Sequence, residues 1–371
     1  MARRWAALAG MLADRGADAC LVYGAERAGT AVPWLTGWPV TREAALVVRA
    51  GEPEVMFVCY DNHVPNARAM APGVEVRPGG GSALAAALEW IRGWPGRVPR
   101  LGVIGAVPAR SGAALAGVAG DVAFLDGEYA GLRLVKSAEE IEWLRRGAAM
   151  SDDAVRALAA AARPGVTEAE CHASVERAYI AAGGLTQIHY LGVTPMAEPW
   201  LCVPAQWASS RPLAAGDALS CEISASYHGY PGQVLRTFAI AADPLPRYRD
   251  MHDVAEAACD AVTARLRPGV SAGQLTEAAA GVILGGGYTI YDDLMHGYGG
   301  GYLPPVVPRA SLEARRAPDF TFAAGMTVVI QPNVITPDEH AGVQTGELML
   351  VTDSGCESLH HCPRGFPRIG G

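Results

Sequence analysis

A short phrase occurs twice in this chain. Arg163-Pro164-Gly165-Val166-Thr167 returns roughly a hundred residues later as Arg267-Pro268-Gly269-Val270-Ser271. Each copy closes an alanine-rich helical stretch with Pro-Gly. Each then offers a hydroxyl side chain, the type that caps the next helix by accepting from its free N–H groups. Pro-Gly is a common helix stop, so the echo can be mere punctuation. The alternative constrains the fold far more: two related halves, each a helix pair packed on antiparallel sheet. Strand material for that sheet lies at Leu219–Ser226, Gln233–Ile240, Met326–Gln331 and Glu347–Thr352. A His-Gly turn at Tyr227–Tyr230 joins the first two.

The first third reads differently. A helix near Arg4–Asp14 precedes an apolar strand at Ala19–Tyr23. Ala44–Arg49 and Glu54–Tyr60 flank a hairpin-type turn, Ala50-Gly51-Glu52-Pro53. Gly79-Gly80-Gly81-Ser82 leads into an alanine-rich helix, Ala83–Arg92, and Arg100–Ile104 and Asp121–Leu125 read as further strands. That alternation predicts an α/β domain over residues 1–130, near the usual domain size. Ser137 and Glu140 then form a capping box that opens a new helix, so the second domain is placed at 131–371, with the boundary near Gly131.

Composition narrows the class. The chain has 371 residues, half of them apolar, and a net charge of −8. No field for nucleic acid is expected. Lys136 is the lone lysine. Eight cysteines lie scattered, with no C-x-x-C, which suits buried thiols in a reduced cytoplasmic protein. Arg3 and Arg4 ahead of an apolar run suggest a signal peptide superficially. The run is short, however, and Trp5, Leu8, Met11 and Leu12 fit an amphipathic first helix. No stretch is long and apolar enough to span a membrane.

From Asp217 to Ile240 the chain reads D-A-L-S-C-E-I-S-A-S-Y-H-G-Y-P-G-Q-V-L-R-T-F-A-I. This resembles the metal-binding hairpin of the creatinase, aminopeptidase P and methionine aminopeptidase superfamily, peptidase clan M24. Nearly the full length shares the resemblance. It implies a "pita-bread" second domain of α+β type with a pseudo-twofold axis, behind a creatinase-type α/β first domain. In metal-using members the hairpin supplies two aspartates; the matching positions here are Glu222 and Gln233. Met295-His296-Gly297-Tyr298-Gly299-Gly300-Gly301 looks like the metal-binding histidine in its glycine-rich loop. Ala324 to Pro332 looks like a strand ending in Glu-Pro, with Gln331 in place of the glutamate. Gly342 to Glu347 matches the last ligand strand, with Gly346 at the glutamate position and Glu347 one residue later. A one-residue slip on a strand sends a side chain to the other face.

Only Glu222 and His296 of those five positions keep a donor, and a divalent site normally needs three or more protein ligands. No metal and no cofactor are therefore expected. Creatinase is the precedent for this fold working without metal. Its acid–base histidine falls here at Ala205 and its glutamate at Leu235, so the chain matches neither pattern. The remaining groups are still chemically capable. Histidine titrates near neutrality, which makes His296 the expected acid–base group, with Glu222 orienting it. Glu222 can equally be a strand carboxylate paired with Arg236. Gln233 and Gln331 would bind an amide or carbonyl, and Tyr298 and Tyr302 would stack on substrate or donate a hydroxyl. Pro33 to Arg42 matches the loop that reaches a partner's pocket in creatinase-like dimers. Trp38 and Arg42 would there form an apolar lid with one charged contact, or the tryptophans are simply core. Asp292 and Asp293 read as turn residues, as do His228 and His340. The adjacent His360 and His361 make a poor metal pair.

The leading expectation is a metal-independent, creatinase-like homodimeric enzyme. It would act on a small polar amide- or amino-acid-derived substrate, by C–N bond hydrolysis or a biosynthetic elimination or cyclisation. A non-catalytic binding protein of the same fold is the second reading. The third is an Xaa-Pro aminopeptidase-like metallopeptidase with shifted ligands.

Overall fold

The computed structural model describes residues 1–26 and 28–371. They divide into two compact units, Met1–Arg133 and Leu134–Gly371.

The first unit is built on a six-stranded sheet. Its strands are β1 (Ala19–Ala25), β2 (Glu43–Arg49), β3 (Val55–Val58), β4 (Glu75–Pro78), β5 (Val98–Ile104) and β6 (Ala119–Phe124), in the order β4-β3-β2-β1-β5-β6. The β2–β3 hairpin is antiparallel, while β1–β5, β5–β6 and β3–β4 are parallel. β1 is buried along nearly its whole length, as expected for a strand covered on both faces. Leu8 and Leu12 of the helix Ala2–Asp14 pack on one side with Trp34, Trp38, Val22 and Leu46. Leu84, Leu88 and Ile91 of the helix Ala83–Arg92 pack on the other.

The second unit carries a nine-stranded sheet. Its main strands are β7 (Leu185–Pro195), β8 (Asp217–Tyr227), β9 (Tyr230–Ile240), β11 (Asp293–Tyr298), β12 (Tyr302–Pro308), β13 (Thr327–Ile330) and β15 (Gly346–Val351). The short strands β10 (Thr289–Ile290) and β14 (Val334–Ile335) pair with each other. The main path runs β12-β11-β13-β15-β9-β8-β7. The β8–β9 turn puts both His228 and Gly229 at positive φ, the geometry of a two-residue hairpin whose twist matches its strands. Helices Ala138–Ala161 and Glu168–Ile180 share a core with β7, β8 and β9. Helices Pro246–Thr263 and Ala272–Ile283 share one with β11, β13 and β15.

The repeated phrase does the same structural work twice. Gly165 and Gly269 both take positive φ. Thr167 and Ser271 each cap the following helix in a capping box, with Glu170 and Gln274. Each loop also pairs with an extended segment. The Gly165 N–H donates to Leu213 and the Leu213 N–H to Val166; the Gly269 N–H donates to Phe322 and the Phe322 N–H to Val270. Two halves of one design are therefore visible in the backbone bonding. One contact fixes how closely the first half closes. A Cβ on Gly232 of β9 would lie 2.2 Å from the Ala148 backbone. Ser151 beside it accepts from the Ala225 N–H and donates to the Gly232 carbonyl. Among the described residues no helix is long and apolar enough to cross a membrane.

Candidate functional site

Strand alternation sorts the hairpin into two faces. Ile223 and Val234 turn into the core shared with the helices. Glu222, Ser224 and Gln233 turn the other way, Ser224 standing directly opposite Gln233 in the ladder. Across the sheet, His296 pairs with Val329, so Gln331, two residues on, shares its face. Gly346 lies opposite Leu235, which itself faces Glu222.

These side chains form a hydrogen-bonded chain. Gln233 Nε2 donates to Glu222 Oε1 at 2.8 Å and to Gln331 Oε1 at 2.9 Å. An ionised carboxylate can only accept, which fixes the amide's orientation. The described bonds of Glu222 thus run to Gln233, not to His296 as expected from sequence. His296 is oriented instead by its own strand. Its Nδ1 lies 3.1 Å from the Gly297 carbonyl, which can only accept, so Nδ1 carries the hydrogen. Nε2 is left as a buried lone pair with no hydrogen-bond partner among the described residues. Tyr302 stacks on the ring at 3.8 Å and 15°, and Tyr298 meets it edge-on at 5.1 Å.

Burial reverses the titration order expected from sequence. His296 is fully buried, which pushes its pKa down to about 4, with Gly297, Gln331 and Asp292 pulling weakly the other way. It is neutral at physiological pH. Glu222 is pushed up to about 7, by desolvation first and then by Asp292. Glu222 is therefore a group that exchanges a proton near neutrality. Sequence reasoning assigned Asp292 and Asp293 to a turn. In the structure Asp293 opens β11, buried, with Oδ2 unpartnered. Burial and Asp292 together raise it to about 8. Ser224 was missed as well. Its hydroxyl and that of Tyr298 are buried neighbours, and neither meets full hydrogen-bond geometry with a partner among the described residues. The alternation Glu222, Ser224 was the available signal.

Several expected site residues are elsewhere. Glu347 pairs with Arg236 at 2.7 Å on the opposite face, because the one-residue slip from Gly346 turns its side chain over. Arg236 is therefore not the partner of Glu222. Trp38 lies buried in the core of the first unit with Trp34, not exposed as a lid, since each fills apolar space beside β1 and β2. Arg42 is a surface group paired with Glu26. His360 is buried against Asp152 at 2.8 Å, and Asp152 also accepts from the His361 N–H. The Gly79–Gly81 loop offers no free helix N-terminus, because Glu43 accepts from the Ala83 N–H there.

The donor set does not fit the two-metal centre that the resemblance implies. Gln233 directs its N–H hydrogens, not its oxygen, at Glu222 and Gln331, and such hydrogens repel a cation. Gly346 has no room for a ligand: its Cβ would lie 2.2 Å from the Ile330 carbonyl oxygen. Among the described residues no group of three or more His, Cys, Asp or Glu side chains is arranged to hold an ion.

Comparison with known proteins follows the fold. The prolidase from Pyrococcus horikoshii OT3 superposes with a TM-score of 0.82 at 18% identity, covering 98% of this chain and 99% of that one. The dipeptidase PepE from Mycobacterium ulcerans gives 0.79 at 24% identity, with 99% and 97% covered. In sequence, the uncharacterized peptidase YqhT of Bacillus subtilis is 24% identical over 360 residues, 96% of this chain and 97% of that protein. The Xaa-Pro dipeptidase of Pyrococcus furiosus is 25% identical over 228 residues, 62% of this chain and 63% of its own length. The family described as metallopeptidase family M24 matches residues 142–353, more than half the chain. This chain belongs to metallopeptidase family M24.

Proposed function

We propose that this protein hydrolyses a small peptide-like amide by acid–base chemistry centred on Glu222, without a two-metal centre. The observation that carries the proposal is the Gln233 bridge. A neutral amide holds one oxygen of a carboxyl group that titrates near pH 7. The names of the relatives favour a peptide substrate over a creatine-like one, in line with the third reading from sequence. The donor set described above stands against that reading's shifted metal ligands.

The residues divide the work. Ionised Glu222 takes a proton from the attacking water through the oxygen that Gln233 leaves open. It then returns that proton to the departing nitrogen, and a pKa near the working pH suits one group to both steps. The Tyr298 and Ser224 hydroxyls, buried neighbours, supply donors for the oxygen that gains charge. The His296 Nε2 lone pair accepts a substrate N–H. Tyr302, 47% exposed and stacked on His296, stands where substrate enters from solvent. A homodimer and a reducing compartment are part of the same proposal. The first is carried by the resemblance, the second by eight free cysteines.

Turnover on a panel of Xaa-Pro and other dipeptides and small N-acyl amides tests it. Glu222→Gln should lower kcat by about 10²–10⁴-fold. Because the ionised form is the base, wild-type kcat/KM should rise with pH through about 7 and then level off. Unchanged turnover in Glu222→Gln rejects the mechanism. A second reading, ligand binding without turnover, draws on the near-complete burial of Gln233, His296 and Gln331. Saturable binding of a panel member with no product would favour it.

A further inference from the structure

A cleft of ≈ 600 Å³ opens on the second unit, sharing no residue with the Glu222–His296 site. One wall is a single face of the helix Pro246–Thr263, where Arg249, His252, Asp253 and Glu256 recur at helical spacing. The facing wall comes from the C-terminal segment, with Arg364 and Phe366.

The charges in this cleft are not equally committed. Arg364 is held by Glu256 at 3.3 Å and by Asp260 at 2.6 Å. Glu256 also accepts from the Thr345 hydroxyl at 2.6 Å. The floor is thus internally neutralised. The Arg249 and Asp253 side chains, opposite in sign on neighbouring turns, have no ion-pair or hydrogen-bond partner among the described residues. Between them His252 is only 4% exposed, and its Nε2 is buried with no hydrogen bond. Its nearest ionic neighbour is Glu256 at 3.7 Å. Its ring stacks on Phe366 at 5.5 Å and 29°, giving the cleft a flat apolar surface. A buried polar atom without a partner costs free energy unless something in the cleft satisfies it.

We propose that this cleft is a second binding site, for a free α-amino acid. Its carboxylate would pair with Arg249, its ammonium with Asp253, and its side chain would lie on Phe366 within reach of His252. The balance of uncommitted charge favours a dipolar ligand over a simple anion. The proposal stands independently of the catalytic reading.

The test is calorimetric titration of the full-length protein with each free L-amino acid in turn, and with inorganic phosphate. Saturable binding of at least one amino acid is expected. Arg249→Ala and Asp253→Ala, both at exposed positions, should each weaken it about tenfold or more, the loss of one charge-assisted hydrogen bond. His296→Ala should leave it in place. Binding lost in His296→Ala but kept in Arg249→Ala would assign the amino acid to the other site and overturn the proposal. Saturation by phosphate alone, or by nothing in the panel, would overturn it equally.

Discussion

Gly346→Glu is expected to destabilise the protein by about 3 kcal/mol or more, the upper range for forcing atoms into filled space. It is not expected to rebuild a metal ligand. Any side chain at this position starts with a Cβ 2.2 Å from the Ile330 carbonyl oxygen and 2.8 Å from the Gln331 Cα. Both are backbone atoms of the neighbouring strand, so no rotamer relieves the clash. The strand must move, and with it Gln331 and the bridge to Gln233. Gly346→Ala should already show most of the loss, since the Cβ is the offending atom. Urea denaturation of the two variants checks this. A Gly346→Glu protein as stable as wild type would mean that the strand has a different register there.

Arg236→Ala should be comparably severe, at about 3–5 kcal/mol, the usual cost of removing one partner of a buried ion pair. Arg236 is 2% exposed, and its guanidinium ties three segments together. Nη1 donates to the Leu235 and Gly346 carbonyls at 2.9 and 2.8 Å, and Nη2 to Glu347 at 2.7 Å and Cys362 at 2.8 Å. Nε donates to Pro363 at 3.0 Å. Deleting it strands a carboxylate and four carbonyls at once. Arg236→Lys should recover only part of the loss, because one ammonium cannot reproduce the planar fork. Thermal and urea unfolding measure both variants. A loss below about 1 kcal/mol would show that this cluster is solvated, not buried.

Much of the site was legible because its carriers lie in spaced motifs. Glu222, Gln233, His296 and Gln331 could be placed from the sequence, and strand alternation brings them to one face. What the sequence could not give was burial. His296 read as a neutral-pH acid–base group because an exposed imidazole titrates there; enclosure gives that property to Glu222. Trp34 and Trp38 offered the same ambiguity between core and lid, and only packing resolves it. The role of Glu347 turned on a one-residue slip, and its partner sits more than a hundred positions away at Arg236. Elements hidden from the sequence were those whose pattern runs against type. β7 carries polar residues through its first half, Leu185-Thr186-Gln187-Ile188-His189. β12, Tyr302-Leu303-Pro304-Pro305-Val306-Val307-Pro308, is proline-rich, which the sheet tolerates because it lies at an edge. The repeated Pro-Gly phrase stayed readable because turn geometry and capping are local.

A hydrogen-bonded amide bridge links Glu222 to Gln331 where the resemblance implies a metal cradle. Calorimetric titration of apo-protein with manganese, cobalt and zinc, paired with elemental analysis of the dialysed product, tests it most directly. No stoichiometric uptake at the site is expected, with the same result for Glu222→Gln. Tight binding of about two ions per chain, lost in Glu222→Gln, would contradict it.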